Sequence, residues 1–98
     1  MAEVPRGGLT VLVADPDPAQ QHQIMDCLRP RYRVITAQSL AETVDMISQY
    51  RPAILLLETD MPDGDGKMLI KQIRDTPALR GMITVSYTHL RAHETGRN

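Results

Sequence analysis

Short apolar runs alternate along this chain with longer segments that repeat apolar residues every three or four positions. The short runs are rich in β-branched residues and are typical of buried strands; they cover residues 9–14, 32–37 and 53–57, and a fourth begins at Met82. The longer segments are typical of helices with one buried face; they begin at Pro18, Leu40 and Gly66. This order predicts an α/β protein with a parallel sheet and right-handed crossovers.

Capping signals mark where two of the helices begin. Asp17 can accept hydrogen bonds from the free amides of a helix start, and Pro18 suits the first helical position. Ser39 with Glu42 three residues later forms a capping box. We expect the three helices to bury apolar side chains at these positions: Ile24, Met25 and Leu28; Leu40, Val44 and Ile47; Leu69 and Ile73.

Acidic residues follow the first and third predicted strands. Asp15 and Asp17 come after the first, and Glu58 and Asp60 after the third. Because the carboxyl ends of parallel strands meet at one edge of a sheet, the sequence predicts carboxylates along that edge. A proline- and glycine-rich turn continues from the third strand, with the sequence Met61, Pro62, Asp63, Gly64, Asp65 and Gly66.

The third strand, its acidic end and this turn resemble the receiver domains of response regulators in two-component signalling, over about residues 9–84. Met61, Pro62, Asp65 and Gly66 carry the turn motif of that family. The resemblance implies a flavodoxin-like, doubly wound parallel sheet of order 2-1-3-4-5. The chain would hold about three and a half of its five βα units, after an N-terminal extension of residues 1–8.

The resemblance also implies a function. In such domains an aspartate at the end of the third strand accepts a phosphoryl group, and acids after the first strand help it to hold Mg²⁺. Carried over to this chain, the acceptor position is Glu58, the first acid is Asp15, and Asp60 would supply a backbone carbonyl to the metal. The resemblance thus implies an acidic pocket formed by Asp15, Glu58 and Asp60. Partners would be a histidine kinase or another signalling protein, and an output domain in a missing C-terminal part.

Two positions depart from the family pattern. Glu58 stands where the acceptor aspartate is expected, and its extra methylene moves the carboxylate by about 1.5 Å. A misplacement of about 1 Å can lower a rate by roughly a hundredfold. Pro16 occupies a position that usually supplies a metal ligand, so Mg²⁺ binding is expected to be weak or lost. The sequence therefore predicts a degenerate receiver that is not phosphorylated at the usual position and is not an enzyme.

Two alternatives stay open at this point. One is a phosphorylatable, Mg²⁺-dependent receiver that uses Glu58 or another acid. The other is a fragment of a haloacid-dehalogenase-like phosphatase, since that family also follows its first strand with Asp-x-Asp, here Asp15 and Asp17. In that case Asp15 would be the nucleophile.

Composition and charge argue against some classes of protein and some cellular compartments. A formal net charge of −1 over 98 residues argues against a nucleic-acid-binding surface within the chain. The single cysteine, Cys27, excludes an internal disulfide and suits a reducing cytoplasm. No apolar run approaches the length needed to span a membrane, and the N-terminus shows no signal segment.

Residues 85–98 break the pattern of the rest of the chain. Residues 85–95 resemble an in-frame translation of a transposon-type sequencing adapter, because a reverse translation of them reproduces that adapter. We therefore expect a non-native tail from Val85 onward, and a receiver sequence that is native only to about Thr84. His89 and His93 would then have no metal-binding role.

Overall fold

The computed structural model describes residues 9–88, and its strands and helices follow the predicted order. The strands of the main sheet are β1 (Thr10–Ala14), β2 (Arg33–Ala37), β3 (Ile54–Glu58) and β6 (Ile83–Tyr87). The helices are α1 (Pro18–Leu28), α2 (Leu40–Tyr50) and α3 (Gly66–Arg74). Two short strands, β4 (Asp60–Met61) and β5 (Gly64–Asp65), and a 3₁₀ helix (Pro77–Leu79) complete the described part.

The main sheet is parallel, with the strand order β2-β1-β3-β6. Each neighbouring pair along the chain is connected through a helix, as the sequence predicts for an α/β fold. The predicted N-terminal extension, residues 1–8, and residues 89–98 of the predicted tail lie outside the described residues.

The main core lies between one face of the sheet and helices α2 and α3. Leu12, Leu55 and Leu57 are fully buried there against Ile47 of α2 and Ile73 of α3. Side chains alternate along a strand, so Val11 and Val13 point to the other face, where α1 packs on β1 and β2. The fold is therefore doubly wound, with helices on both faces.

The helix starts agree with their capping signals. Asp17 accepts a hydrogen bond from the amide of Ala19, with Pro18 at the first position of α1. The Ser39 hydroxyl accepts from the Glu42 amide at the start of α2. The Glu42 carboxylate accepts from the amide of Gln38, one residue before the expected capping partner.

Two predicted inward faces differ in the structure. On α2, Val44 is 48% exposed, whereas Thr43 is completely buried and its hydroxyl donates to the Ser39 carbonyl. On α1 the buried position is Gln21, whose carboxamide donates to three backbone carbonyls of the sheet edge. Apolar periodicity missed both positions because a polar side chain can be buried wherever backbone acceptors face it.

The last strand continues past the predicted boundary at Thr84. Val85, Ser86 and Tyr87 pair with residues of β3 in parallel register. Ile83 is 60% and Val85 46% exposed, so β6 forms an apolar outer edge of the described sheet. The assignment of residues 85–98 to a non-native tail stays a prediction, since a short β-branched segment can extend a strand whatever its origin.

Candidate functional site

The candidate site lies at the carboxyl ends of β1 and β3. Ala14 of β1 pairs with Leu57 of β3, and an acid follows each: Asp15 directly after the end of β1, and Glu58 as the last residue of β3. Both side chains are completely buried. The structure therefore brings together two of the three residues of the predicted acidic pocket.

Asp15 is held by hydrogen bonds from three directions. Its Oδ1 accepts from the backbone amide of Asp17, at 2.8 Å. Its Oδ2 accepts from the carboxamide of Gln20, at 2.6 Å, and from the hydroxyl of Tyr87, at 2.7 Å. A buried carboxylate needs such donors, because removal from water without them would be costly.

Glu58 turns its carboxylate back onto its own loop. Its Oε2 accepts a hydrogen bond from the backbone amide of Asp60, at 2.8 Å. The Asp60 side chain itself is exposed, beside a cleft that Asp65 and Lys67 also line. Of the predicted pocket, Asp60 thus contributes its backbone amide to Glu58, while its carboxylate faces outward.

The predicted turn motif builds a tight connection between β3 and α3. Met61 is buried, and β4 pairs with β5 in a two-residue antiparallel ladder. Asp65 caps α3 by accepting from the Lys67 amide, and the Gly66 amide donates to the Thr59 carbonyl at 2.8 Å. A Cβ on Gly66 would lie 2.8 Å from the Thr59 Cα, so glycine is required there. Pro62 is exposed at the tip.

Asp63 links this turn to α2, a role that the sequence did not suggest. Its two carboxylate oxygens accept from the backbone amides of Leu40, at 2.7 Å, and Ala41, at 3.0 Å. These two hydrogen bonds hold the pKa of the exposed Asp63 carboxyl below its ordinary value. Gly64 follows with φ +152°, and a Cβ there would lie 2.9 Å from a methyl carbon of Leu40. The turn thus packs closely against the start of α2.

Tyr87 reaches the pocket from the end of β6. Burial raises the pKa of its hydroxyl, and the hydrogen bond to Asp15 and the charges of Asp15 and Glu58 raise it further. Sequence reasoning missed Tyr87 and Gln20, since neither stands in a recognisable motif. The position of Gln20 in the first turn of a helix that follows an acid is the only sequence signal for its contact.

The arrangement does not fit a Mg²⁺ ion well. Within residues 9–88, no group of three or more histidine, cysteine, aspartate or glutamate side chains is placed to hold a metal. Pro16 offers no carboxylate, and the Oδ2 of Asp15 already accepts two hydrogen bonds. The weak or lost metal site expected at Asp15, Glu58 and the carbonyl of Asp60 stays a prediction. The contacts described above argue against strong binding of Mg²⁺ there.

Comparison with known proteins identifies the family. A sequence model of the response regulator receiver domain matches residues 11–96. The chain belongs to the response regulator receiver domain family. The match continues beyond Thr84 into most of the segment that resembles an adapter.

Solved receiver structures share the fold. The N-terminal domain of a response regulator receiver protein from Methanoculleus marisnigri JR1 is 30% identical, with a TM-score of 0.73 over 89% of this chain and 76% of that one. A putative response regulator from Chloroflexus aurantiacus J-10-fl is 26% identical, with a TM-score of 0.75 over 92% and 80%. The non-phosphorylated HemR receiver domain from Leptospira biflexa is 21% identical, with a TM-score of 0.72 over 90% and 76%.

These matches confirm the predicted family and the flavodoxin-like α/β class. The chain is a response regulator receiver domain of two-component signalling. In the described part of the chain, every helix is too short or too polar to cross a membrane.

Proposed function

We propose that this chain is a degenerate receiver module, a non-enzymatic signalling domain that does not take a phosphoryl group at the usual position. The observation that carries this proposal is the state of Glu58. Its carboxylate is completely buried and accepts the Asp60 amide of its own loop. A nucleophilic carboxylate must instead reach a phosphorus atom in line with the leaving oxygen.

The chemistry supports the same conclusion. Phosphoryl transfer depends mainly on positioning and on charge neutralisation by a metal. The longer side chain of Glu58 displaces the carboxylate by about 1.5 Å, and Pro16 removes a ligand. Both effects lower the rate of phosphoryl transfer. The first displaces the nucleophile, and the second weakens charge neutralisation by the metal.

The pocket holds a carboxylate at the position where a phosphorylated receiver carries its phosphoryl group. A glutamate carries about one negative charge, whereas a phosphoryl group carries roughly two at neutral pH. Glu58 therefore imitates a phosphorylated acceptor only in part. We propose that a histidine kinase or another cytoplasmic signalling protein recognises this constitutive state, and that an attached output domain responds to it.

Intact mass measurement after incubation with acetyl phosphate and Mg²⁺ tests the proposal, in a chain completed to all five βα units of the receiver fold. We expect no phosphoryl adduct on the parent chain. The combined substitution Glu58→Asp and Pro16→Asp should produce one, because it corrects both the reach of the acceptor and the metal ligand set. Glu58→Asp alone should give a much lower yield, since the metal ligand is still absent.

Two results would overturn the proposal, and a third would refute its explanation. An adduct on Glu58 of the parent would identify a phosphorylatable receiver instead. An adduct on Asp15 would favour the phosphatase-like alternative, in which that residue is the nucleophile. Failure of the folded double variant to react would show that Glu58 and Pro16 are not what prevents phosphorylation.

A further inference from the structure

Gln20 donates a side-chain hydrogen bond to Asp15 inside the acidic pocket. Gln20 is the third residue of α1, the position from which a glutamine in a capping box reaches back to the helix start. Here it reaches further, to Asp15, and its Nε2 lies 2.6 Å from Oδ2. Both residues lie before Thr84, so the contact does not depend on the origin of the last segment.

The Gln20 carboxamide gives the buried Asp15 carboxylate a hydrogen-bond donor in place of water. Asp15 is completely buried, so its negative charge needs donors or a cation close by. The hydrogens of an amide carry partial positive charge. Unlike a bound metal ion, the amide cannot dissociate from the protein, and it does not change its charge with pH. Its hydrogens also disfavour a cation at the same oxygen, which Mg²⁺ would approach to about 2.1 Å.

We propose that the Gln20 carboxamide takes the place of a divalent cation at Asp15 and holds the acidic pocket in a metal-independent state. The inference deepens the proposed function, and it rests on the assignment of this pocket as the degenerate receiver site. It assigns to Gln20 a positioning role: it keeps the Asp15 carboxylate directed at α1 rather than at a metal.

Two substitutions at Gln20 test this role. Gln20→Glu places a second carboxylate beside Asp15, so Mg²⁺ should raise the midpoint temperature of unfolding of this variant by several degrees. Gln20→Ala removes the donor without adding charge, and Mg²⁺ should raise its midpoint by a smaller amount. The parent should show no Mg²⁺-dependent shift.

Gln23→Glu is the matched control, because Gln23 is exposed on the same helix and the change in charge is identical. It should behave like the parent. Mn²⁺ gives a second readout: it should broaden the backbone amide NMR signals of Asp15, Asp17 and Glu58 in Gln20→Glu, but not in the parent or in Gln23→Glu. Gln20→Ala provides the same Mn²⁺ test if the glutamate variant does not fold.

A purely structural Gln20 predicts a different pattern. Its substitutions would then lower the midpoint equally with and without Mg²⁺, and Mn²⁺ would leave the signals unchanged; that result would overturn the inference. Mn²⁺ broadening of Asp15 in the parent would overturn it too. Metal binding without a phosphoryl adduct in the parent would refute only the role of Gln20, and an adduct without metal binding would refute only the proposed function.

Discussion

The turn after β1 and the turn after β3 lie at the same edge of the sheet, and each begins with a buried acid. The first turn leads directly into α1, and Asp15 collects donors from the helix start and from β6. The second is longer and exposes its other acids. Asp63 and Asp65 there accept the free amides at the starts of α2 and α3.

The difference shows what burial demands of an acid. The exposed Asp63 and Asp65 accept only backbone amides at helix starts, and water can satisfy their remaining lone pairs. Water does not reach the buried Asp15, and its donors include two side chains, one of them Tyr87 on a distant strand. Three predictions test how the two turns differ.

The largest effect is expected in the turn after β3, from Gly66→Ala. The new Cβ would lie 2.8 Å from the Thr59 Cα and 2.9 Å from the Glu58 carbonyl oxygen, and both are backbone atoms that cannot move aside. Overpacking of this kind should lower the free energy of unfolding by about 3 kcal/mol. Urea denaturation measures it. Gly81→Ala is the control, because nothing lies within 4 Å of its added Cβ, and an equal loss there would refute the explanation.

A smaller effect is expected from Asp63→Ala, which removes the acceptor of the Leu40 and Ala41 amides. The pKa of Asp63 is lower in the folded chain than its ordinary value of 3.8, so its contribution to stability is present above that pH. It is lost as the pH falls through the lowered pKa. Parent and variant should therefore differ in stability at neutral pH and converge in strong acid.

Hydrogen exchange locates the effect of Asp63. The amides of Leu40 and Ala41 should exchange faster in Asp63→Ala, whereas Asp45→Ala, an exposed change on the same helix, should leave them unaffected. A difference in stability that persists unchanged in strong acid would contradict the capping role.

A still smaller effect is expected in the first pocket from Tyr87→Phe. The change removes one hydroxyl donor, but Asp15 keeps Gln20 and the Asp17 amide, so the loss should be about 1 kcal/mol or less. The pKa of Tyr87 is raised above its ordinary value of 10.0, so its contribution is present below that pH and is lost at more alkaline pH. Tyr50→Phe, at an exposed site, is the control. A large loss would show that the pocket depends on the last segment of the chain.

A separate prediction concerns the predicted non-native tail, whose first residues lie in β6. If residues 85–98 derive from an adapter, their packing was never selected, and amide exchange should be fast from about Tyr87 onward. Protection of Tyr87 as strong as that of β1 would contradict the adapter interpretation.

Local patterns predicted much of the fold. The β-branched runs, Asp17 with Pro18, and Ser39 with Glu42 placed the strands and helix starts within a residue or two of their positions. The turn motif after β3 predicted the family and placed Glu58 at the site. These signals can be recognised in the sequence because each depends on residues close together in the chain. Such residues share backbone hydrogen bonds or one face of a helix or strand.

Other features were decided by contacts between distant segments. The exposure of Val44, the burial of Gln21 and the link from Asp63 to α2 depend on how whole helices lie on the sheet. The sequence by itself determined which acids reach the edge of the sheet. Only the tertiary structure decided that the Tyr87 hydroxyl also donates to Asp15 and that the Asp60 side chain is exposed, because burial and the supply of donors depend on how distant elements pack together.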